Sequence, residues 1–324
     1  MKTGEITIEP LASESMGVRS MCTLVKTPDI EILFDPSAAL SMRYGLEPHP
    51  LEYQALLDKL QRIFVAARKA DILSISHFHF DHCRPGFTDF RYNLSSREEL
   101  QRMFEGKIVL AKDNRENINP SQRRRGFYFE KDVKEHVKDI IWADGESFSF
   151  GSTTITYSHV LPHGPPGTRL GFVLATTVEY DGVRFLYAPD VQGPVSTDSL
   201  TYLKSAEANI AIVGGPPTYL SKFIEADRNA ARDSLKQLAS NTPFLAVDHH
   251  LLRSEDWHTW LDPVRSKAES LGHTVTTMAE MAGTELSCLE ANRKRLYDSH
   301  PPSQLFLDWT LATDDYKQRN LPPL

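Results

Sequence analysis

Residues 73–87 read LSISHFHFDHCRPGF, and inside that stretch His77, His79, Asp81 and His82 place four metal-binding side chains within six positions. They follow directly on DILSIS (71–76), a short apolar run of the length and composition of a buried strand. Side chains two apart on an extended chain point the same way, so His77 and His79 can present their rings to one ion. A turn then brings Asp81 and His82 towards a neighbouring position, and one segment can serve two ions. Ligands of open α/β sheets commonly sit beyond the carboxyl ends of strands, which is where this cluster falls. A histidine-rich surface loop or a set of hydrogen-bonded core histidines is the competing reading, and four ligand-type residues at this spacing weigh against it. Cys83, next to His82, is read as a small buried thiol that fills space.

Working outward, VRSMCTLV (18–25) and EILFD (31–35) read as early strands. Between them and the histidines, PLEYQALLDKLQRIFVAARKA (50–70) sets Leu56, Leu60, Ile63, Phe64 and Ala67 at helical spacing, with Pro50 in the first turn. That is a strand, helix, strand unit. The middle third, 139–164 and 170–190, consists of β-branched and aromatic runs broken by Asp-Gly and Gly turns, the pattern of hairpins in a second sheet. ANIAIVGGPP (208–217) and PFLAVDHH (243–250) read as buried strands separated by the helical 221–241, with helices following to about residue 298. VGGPP is a glycine-rich strand exit without the lysine of a nucleotide-binding loop. No repeat or linker interrupts the chain, so one layered α/β domain is expected over 1–290. Residues 291–324 form an extension on the same domain, loosely docked after DSHPP.

The 324 residues are 40% apolar and 24% charged, enough for a substantial core. A net charge of −7 disfavours a general nucleic-acid or anionic-membrane binder. The first residues, MKTGEITIEP, lack the apolar core of a signal peptide, and no segment approaches the roughly 20 apolar residues of a membrane span. A cytoplasmic protein is the expectation. Cys22, Cys83 and Cys288 show no Cys-x-x-Cys spacing and predict neither disulfides nor a cysteine zinc site.

The residues His77, His79, Asp81 and His82 match the signature H-x-H-x-D-H, and from about residue 5 to residue 285 the chain resembles the metallo-β-lactamase-fold hydrolase superfamily, in an uncharacterised branch. The resemblance implies a four-layer αββα sandwich with two divalent transition-metal ions, zinc foremost, manganese or iron as alternatives. It places His163 of VLPHGPPG as the third histidine of the first metal site and Asp190 of FLYAPDVQG as the carboxylate between the two ions. AVDHH supplies the last histidine. His249 is favoured there because its spacing to Arg253 resembles the final motif of the superfamily's RNA-processing nucleases, and His250 is the alternative. Asp248 beside them is a ligand type as well.

The implied chemistry is hydrolysis by a metal-bridging hydroxide, with Asp81 and Asp190 at the catalytic centre and a small-molecule substrate. Three consecutive arginines, Arg123, Arg124 and Arg125, read as part of a loop or helix start, where their forks could hold a phosphate or carboxylate. The run is expected to cover the centre, with one or two arginines on the substrate and the remainder paired with acids such as Glu130 or Asp132. His49, Arg19 and Tyr44 are further candidates for the mouth of the site. A small anionic substrate or a phosphodiester suits the arginines. A lactone, thioester or amide hydrolase, an iron-dependent redox enzyme and a non-catalytic metal scaffold are the alternatives, and the oligomeric state is open.

Overall fold

The computed structural model describes residues 1–324. Two seven-stranded sheets carry the chain in sequence. The first runs in chain order through Lys2–Thr3, Ile6–Pro10, Thr23–Lys26, Glu31–Phe34, Ile72–Ile75, Ile108–Ala111 and Asp139–Trp142. Its early pairs are antiparallel, and those from Glu31–Phe34 onward are parallel, each joined through a helix or longer crossover. The second sheet is ordered Thr274–Thr276, Phe244–Asp248, Ile210–Gly214, Val183–Ala188, Thr176–Tyr180, Thr153–Tyr157 and Ser147–Phe150. Here the hairpins form one half and parallel strands the other.

Strand periodicity divides the apolar residues into layers, because successive side chains point to opposite faces of a sheet. Ile32, Phe34 and Ile72 of the first sheet meet Phe185, Tyr187, Ile210 and Ile212 of the second in a buried layer between the sheets. Their neighbours Leu33 and Leu73 face outward onto Leu56, Leu60 and Ile63 of helix Pro50–Lys69. Ala211, Val213, Leu245 and Val247 face the opposite way, onto Leu235 and Leu238 of Glu225–Asn241 and Leu261 and Val264 of Trp257–Glu269. Helix, sheet, sheet, helix is the resulting order, the αββα sandwich expected from the resemblance.

Some elements depart from the sequence reading. The first strand of VRSMCTLV begins only at Thr23, since Val18–Cys22 forms a buried loop held by the Arg19–Ala39 bridge. The polar, exposed-edge strand Thr274–Thr276 interrupts what reads as continuous helix. The end of the chain is not loosely attached. Phe306 is fully buried, and with Trp309 it packs on Tyr53 at ring separations of 6.1 and 5.9 Å. Arg293 makes a fully buried double hydrogen bond to Glu52 at 2.7 and 2.8 Å, and Lys317 reaches Glu47 at 2.8 Å. No helix is long and apolar enough to cross a membrane.

Candidate metal centre

The carboxyl ends of three parallel strands converge where the two sheets meet. His77 follows Ile72–Ile75 in the first sheet, while Asp190 follows Val183–Ala188 and His249 follows Phe244–Asp248 in the second. His163 arrives beside them from the two-stranded ribbon Leu161–Pro162 and Phe172–Val173. Asp190 and His249 both adopt left-handed backbone, φ 49° and 66°, a conformation that costs of order 1–3 kcal/mol in a non-glycine residue and is kept where surrounding structure enforces it. The enforcing structure includes VGGPP. A side chain on Gly214 would lie 2.6 Å from the Asp190 amide nitrogen, and one on Gly215 would lie 2.9 Å from the Asp248 carbonyl oxygen. Glycine at these positions lets the two ligand loops close on each other.

Asp190 is the hub. Its Oδ2 lies 2.7 Å from His163 Nε2, 3.0 Å from His77 Nε2, 3.4 Å from His82 Nε2 and 3.8 Å from His79 Nδ1. Its Oδ1 lies 2.8 Å from His249 Nε2 and 3.6 Å from His250 Nδ1. Asp81 Oδ2 is 3.8 Å from His249 Nε2, on the same side as His82. The donors fall into overlapping groups: His77, His79, His163 and Asp190; Asp81, His82 and His249; Asp190, His249 and His250. His249 therefore bridges towards both acids, whereas His250 reaches only Asp190. Asp248, the third candidate of the DHH run, faces away. Its carboxylate accepts the backbone amides of Ser15, His249 and Met278 and stitches three segments together.

The outer nitrogens of these rings are fixed by partners that sequence reading missed. Asp35 Oδ2 accepts from His82 Nδ1 at 2.8 Å, from Ser76 Oγ at 2.6 Å and from the Tyr187 hydroxyl at 2.8 Å; Ser76 Oγ in turn lies 3.0 Å from His77 Nδ1. Glu14, in the short turn Glu14–Met16, accepts from His249 Nδ1 at 2.8 Å and from Arg253 Nε at 2.8 Å and Nη2 at 2.5 Å. The Gln192 amide is 3.3 Å from His163 Nδ1. Orienting a ligand ring through its other nitrogen is a recurrent device of metal sites, and the contacts of Glu14 to His249 and of Asp35 to His82 have that form.

This donor set fits divalent metal ions. Ring nitrogens of His77 and His79 approach to 3.0 Å and those of His82 and His249 to 3.3 Å, facing one another across a common space. His250 Nδ1 is buried and has no hydrogen-bond partner, which is costly unless a further group satisfies it. The electrostatics divide the rings, with His77 and His79 lowered and His82 and His249 raised. Burial would push the Asp190 carboxyl up, but His249, His163 and His82 outweigh it and hold the group well below the usual carboxylate range. Burial, with His82 adding to it, lowers His77 far below the ordinary imidazole value, and burial lowers His79. His249 resists burial and is raised by Glu14 and Asp190.

The remaining candidates separate. His49 does not line the cavity over the histidines: it caps helix Pro50–Lys69 through a box with Glu52, and its Nε2 lies 2.8 Å from the His300 carbonyl. The arginine run lies on helix Pro120–Val133, where consecutive residues point in different directions. Arg123 is exposed and bonds the Arg115 carbonyl, and Arg124 lines a neighbouring cavity. Arg125 alone lines the cavity over the histidines, with its guanidinium 4.3 Å over the Phe80 ring. Glu130 and Asp132 pair with Asn114 and Arg97 instead of with the run. Arg19 lines the same cavity but is bound to Glu290 at 2.6 and 2.7 Å, whereas Tyr44 lies outside it beneath Arg43. Lys222, unremarked in the sequence, lines the cavity and has neither an ion pair nor a hydrogen bond. Cys83 is buried in the first core.

Residues 31–214 match the sequence model described as Beta-lactamase superfamily domain. The chain is 38% identical over 292 residues to a UPF0282 protein of Methanopyrus kandleri, covering 89% of this chain and 98% of that one. It is 39% identical over 303 residues to a UPF0282 protein of Pyrobaculum aerophilum, covering 93% and 98%. Among solved structures, the diiron β-hydroxylase CmlA of Streptomyces venezuelae superposes with a TM-score of 0.48 at 13% identity over 85% of this chain. The chain spans about half the length of that protein, 53%.

Proposed function

This chain belongs to the metallo-β-lactamase superfamily and, within it, to the UPF0282 family, and on that premise we propose that it is a metal-dependent hydrolase of a small anionic substrate, a phosphorylated or carboxylated compound or a phosphodiester. The observation that carries the proposal is the convergence of six imidazoles on the two oxygens of one buried carboxylate, Asp190. His77, His79 and His163 would hold one divalent transition-metal ion, Asp81, His82 and His249 a second, with Asp190 between them. Zinc suits imidazole and carboxylate donors, as do manganese and iron. Bound there, such ions supply Lewis acidity and ionise water near neutral pH, so no serine or cysteine nucleophile is required.

The chain's own residues account for the rest. Arg125 and Lys222 are cations on the cavity wall without carboxylate partners and would bind the substrate's negative charge, each charged hydrogen bond being worth about 1.5–3 kcal/mol. Arg253 and Arg19 are engaged by Glu14 and Glu290, so they shape the cavity and its potential. His250, on the cavity wall with Nδ1 free, is the group placed to touch the substrate or exchange a proton with it. The test combines metal analysis after loading with zinc, manganese or iron and a substrate screen. Close to two ions per chain and hydrolysis of p-nitrophenyl phosphodiesters or related anions are expected, with Arg125→Ala and Lys222→Ala lowering kcat/KM about tenfold or more at unchanged metal content. Efficient hydrolysis of a neutral lactone, indifferent to both substitutions, would overturn the anionic reading.

A further inference from the structure

Under helix Pro120–Val133, beside the histidine centre, lies a second cavity of about 480 Å³. It plays no part in holding the ligands, yet it shares two residues with the cavity over them, Phe80 and Arg125. Its wall is aromatic, formed by Phe78, Phe80, Phe87, Tyr128 and Phe129. Phe78 and Phe129 belong to the core, whereas Phe87 and Tyr128 are 46% and 48% exposed at its rim. Phe80 meets Phe87 edge-on at 5.5 Å and 71°. The volume is that of a small-molecule pocket rather than a packing defect.

Positive charge is in surplus along this wall. Asp132 is matched by Arg97, at 3.3 Å. Arg124 has no ion pair or hydrogen bond. Arg125 has only the Phe78 carbonyl, at 3.5 Å, and the face of Phe80. Arg84 is buried and matched by Glu99 at 2.5 Å, so the surplus rests on Arg124 and Arg125. Ring edges and faces favour another ring over an aliphatic chain, and a guanidinium stacked on an aromatic can extend that surface while binding an anion through its edge.

Resting on the reading of the centre as a hydrolase of anions, we propose that this cavity receives a planar aromatic ring of the substrate, whose anionic group passes Arg125 to reach the histidines. Arg125 then marks the junction between the two parts of the ligand, and Phe87 and Tyr128 select for the ring.

The experiment is calorimetric titration of the zinc-loaded protein with three phosphonates of matched reach: butylphosphonate, 2-phenylethylphosphonate and 9-(2-phosphonoethyl)adenine. At least one ring-bearing probe should bind about tenfold or more tightly than butylphosphonate, and the tighter of the two shows whether the ring is a simple aryl group or a nucleobase. Tyr128→Ala and Phe87→Ala, both at exposed positions, should each erase threefold or more of that preference and leave butylphosphonate affinity and metal content unchanged. Equal binding of all three probes, or a preference untouched by both substitutions, overturns the aromatic pocket alone. Failure of every phosphonate to bind a metal-loaded protein overturns the anionic reading and this inference with it.

Discussion

If the centre holds two ions as proposed, replacing Glu14 by glutamine should weaken one metal position and spare the other. The carboxylate is buried and accepts four hydrogen bonds, two from Arg253, one from His249 and a longer one from the Ser20 amide at 3.5 Å. Glutamine keeps the shape but withdraws the charge, leaving the buried Arg253 guanidinium with only the longer contact to Asp81, at 3.4 Å, and an amide that cannot serve both donors. Removing one partner of a buried ion pair costs about 3–5 kcal/mol. At about 2.1 cal/mol/K per residue, 324 residues give an unfolding entropy of about 0.7 kcal/mol/K, so Tm should fall by about 4–7 °C. Loss of the group that orients a ligand ring typically costs ten- to a hundredfold in metal affinity. The loss should fall on the position of Asp81, His82 and His249, read by competition against a chromophoric chelator. Glu52→Gln is the control: it breaks an equally buried pair with Arg293 that touches none of the histidines of the centre, and should lower Tm comparably while leaving both metal affinities unchanged. If Glu14→Gln also leaves both unchanged, or Glu52→Gln weakens them as much, the orienting role of Glu14 is wrong.

Asp190→Ala should empty both metal positions, since its two oxygens face both groups of histidines; metal analysis that returns wild-type content refutes the bridging assignment. Burial alone would push the Glu290 carboxyl up, but Arg19 reverses this and holds it well below the usual carboxylate range. Its contribution is thus present above the unfolded value, near pH 4.3, and is lost as pH falls towards the lower folded value. Glu290→Gln should cost about 3 kcal/mol at neutral pH, with the gap to wild type narrowing below about pH 4 in urea titrations; a gap independent of pH refutes the ion-pair account. Phe306→Ala, at a fully buried position, should lower stability by about 3–5 kcal/mol, and a change below about 1 kcal/mol would show that the end of the chain is dispensable to the core.

Local signals carried most of this architecture. The apolar strand before His77, the spacing H-x-H-x-D-H and the helix at 50–70 each state their conformation within a few residues, because strand alternation and helical spacing are short-range properties. The groups that orient the ligands leave no such trace. Glu14 is one acid in ASESM, 235 positions from His249, and only folding brings them together. Asp35 was visible as the end of a strand, but its partners arrive from Ser76, His82 and Tyr187. His49 shows the reverse error. A residue before proline with glutamate three positions on is a helix cap by local grammar, and that reading outweighs a role at a distant mouth. The arginine run was legible as charge and as a set that cannot all face inward, since a helix turns each successive residue by about 100° and Arg125 alone lines the cavity; the partners of the run were not legible, because Glu130 and Asp132 are taken by Asn114 and Arg97.

The passage from one sheet to the other occurs once, in the turn between Trp142 and Ser147. Before it lie His77, His79, Asp81 and His82; after it lie His163, Asp190 and His249. Neither portion owns a complete coordination set. If the chain were severed in that turn and expressed as two polypeptides, metal uptake would require their complementation, held by the shared layer between the sheets and by Phe306 and Trp309 reaching back to Tyr53. Stoichiometric metal would then report reassembly of the two fragments, making the centre an indicator of its own domain's integrity.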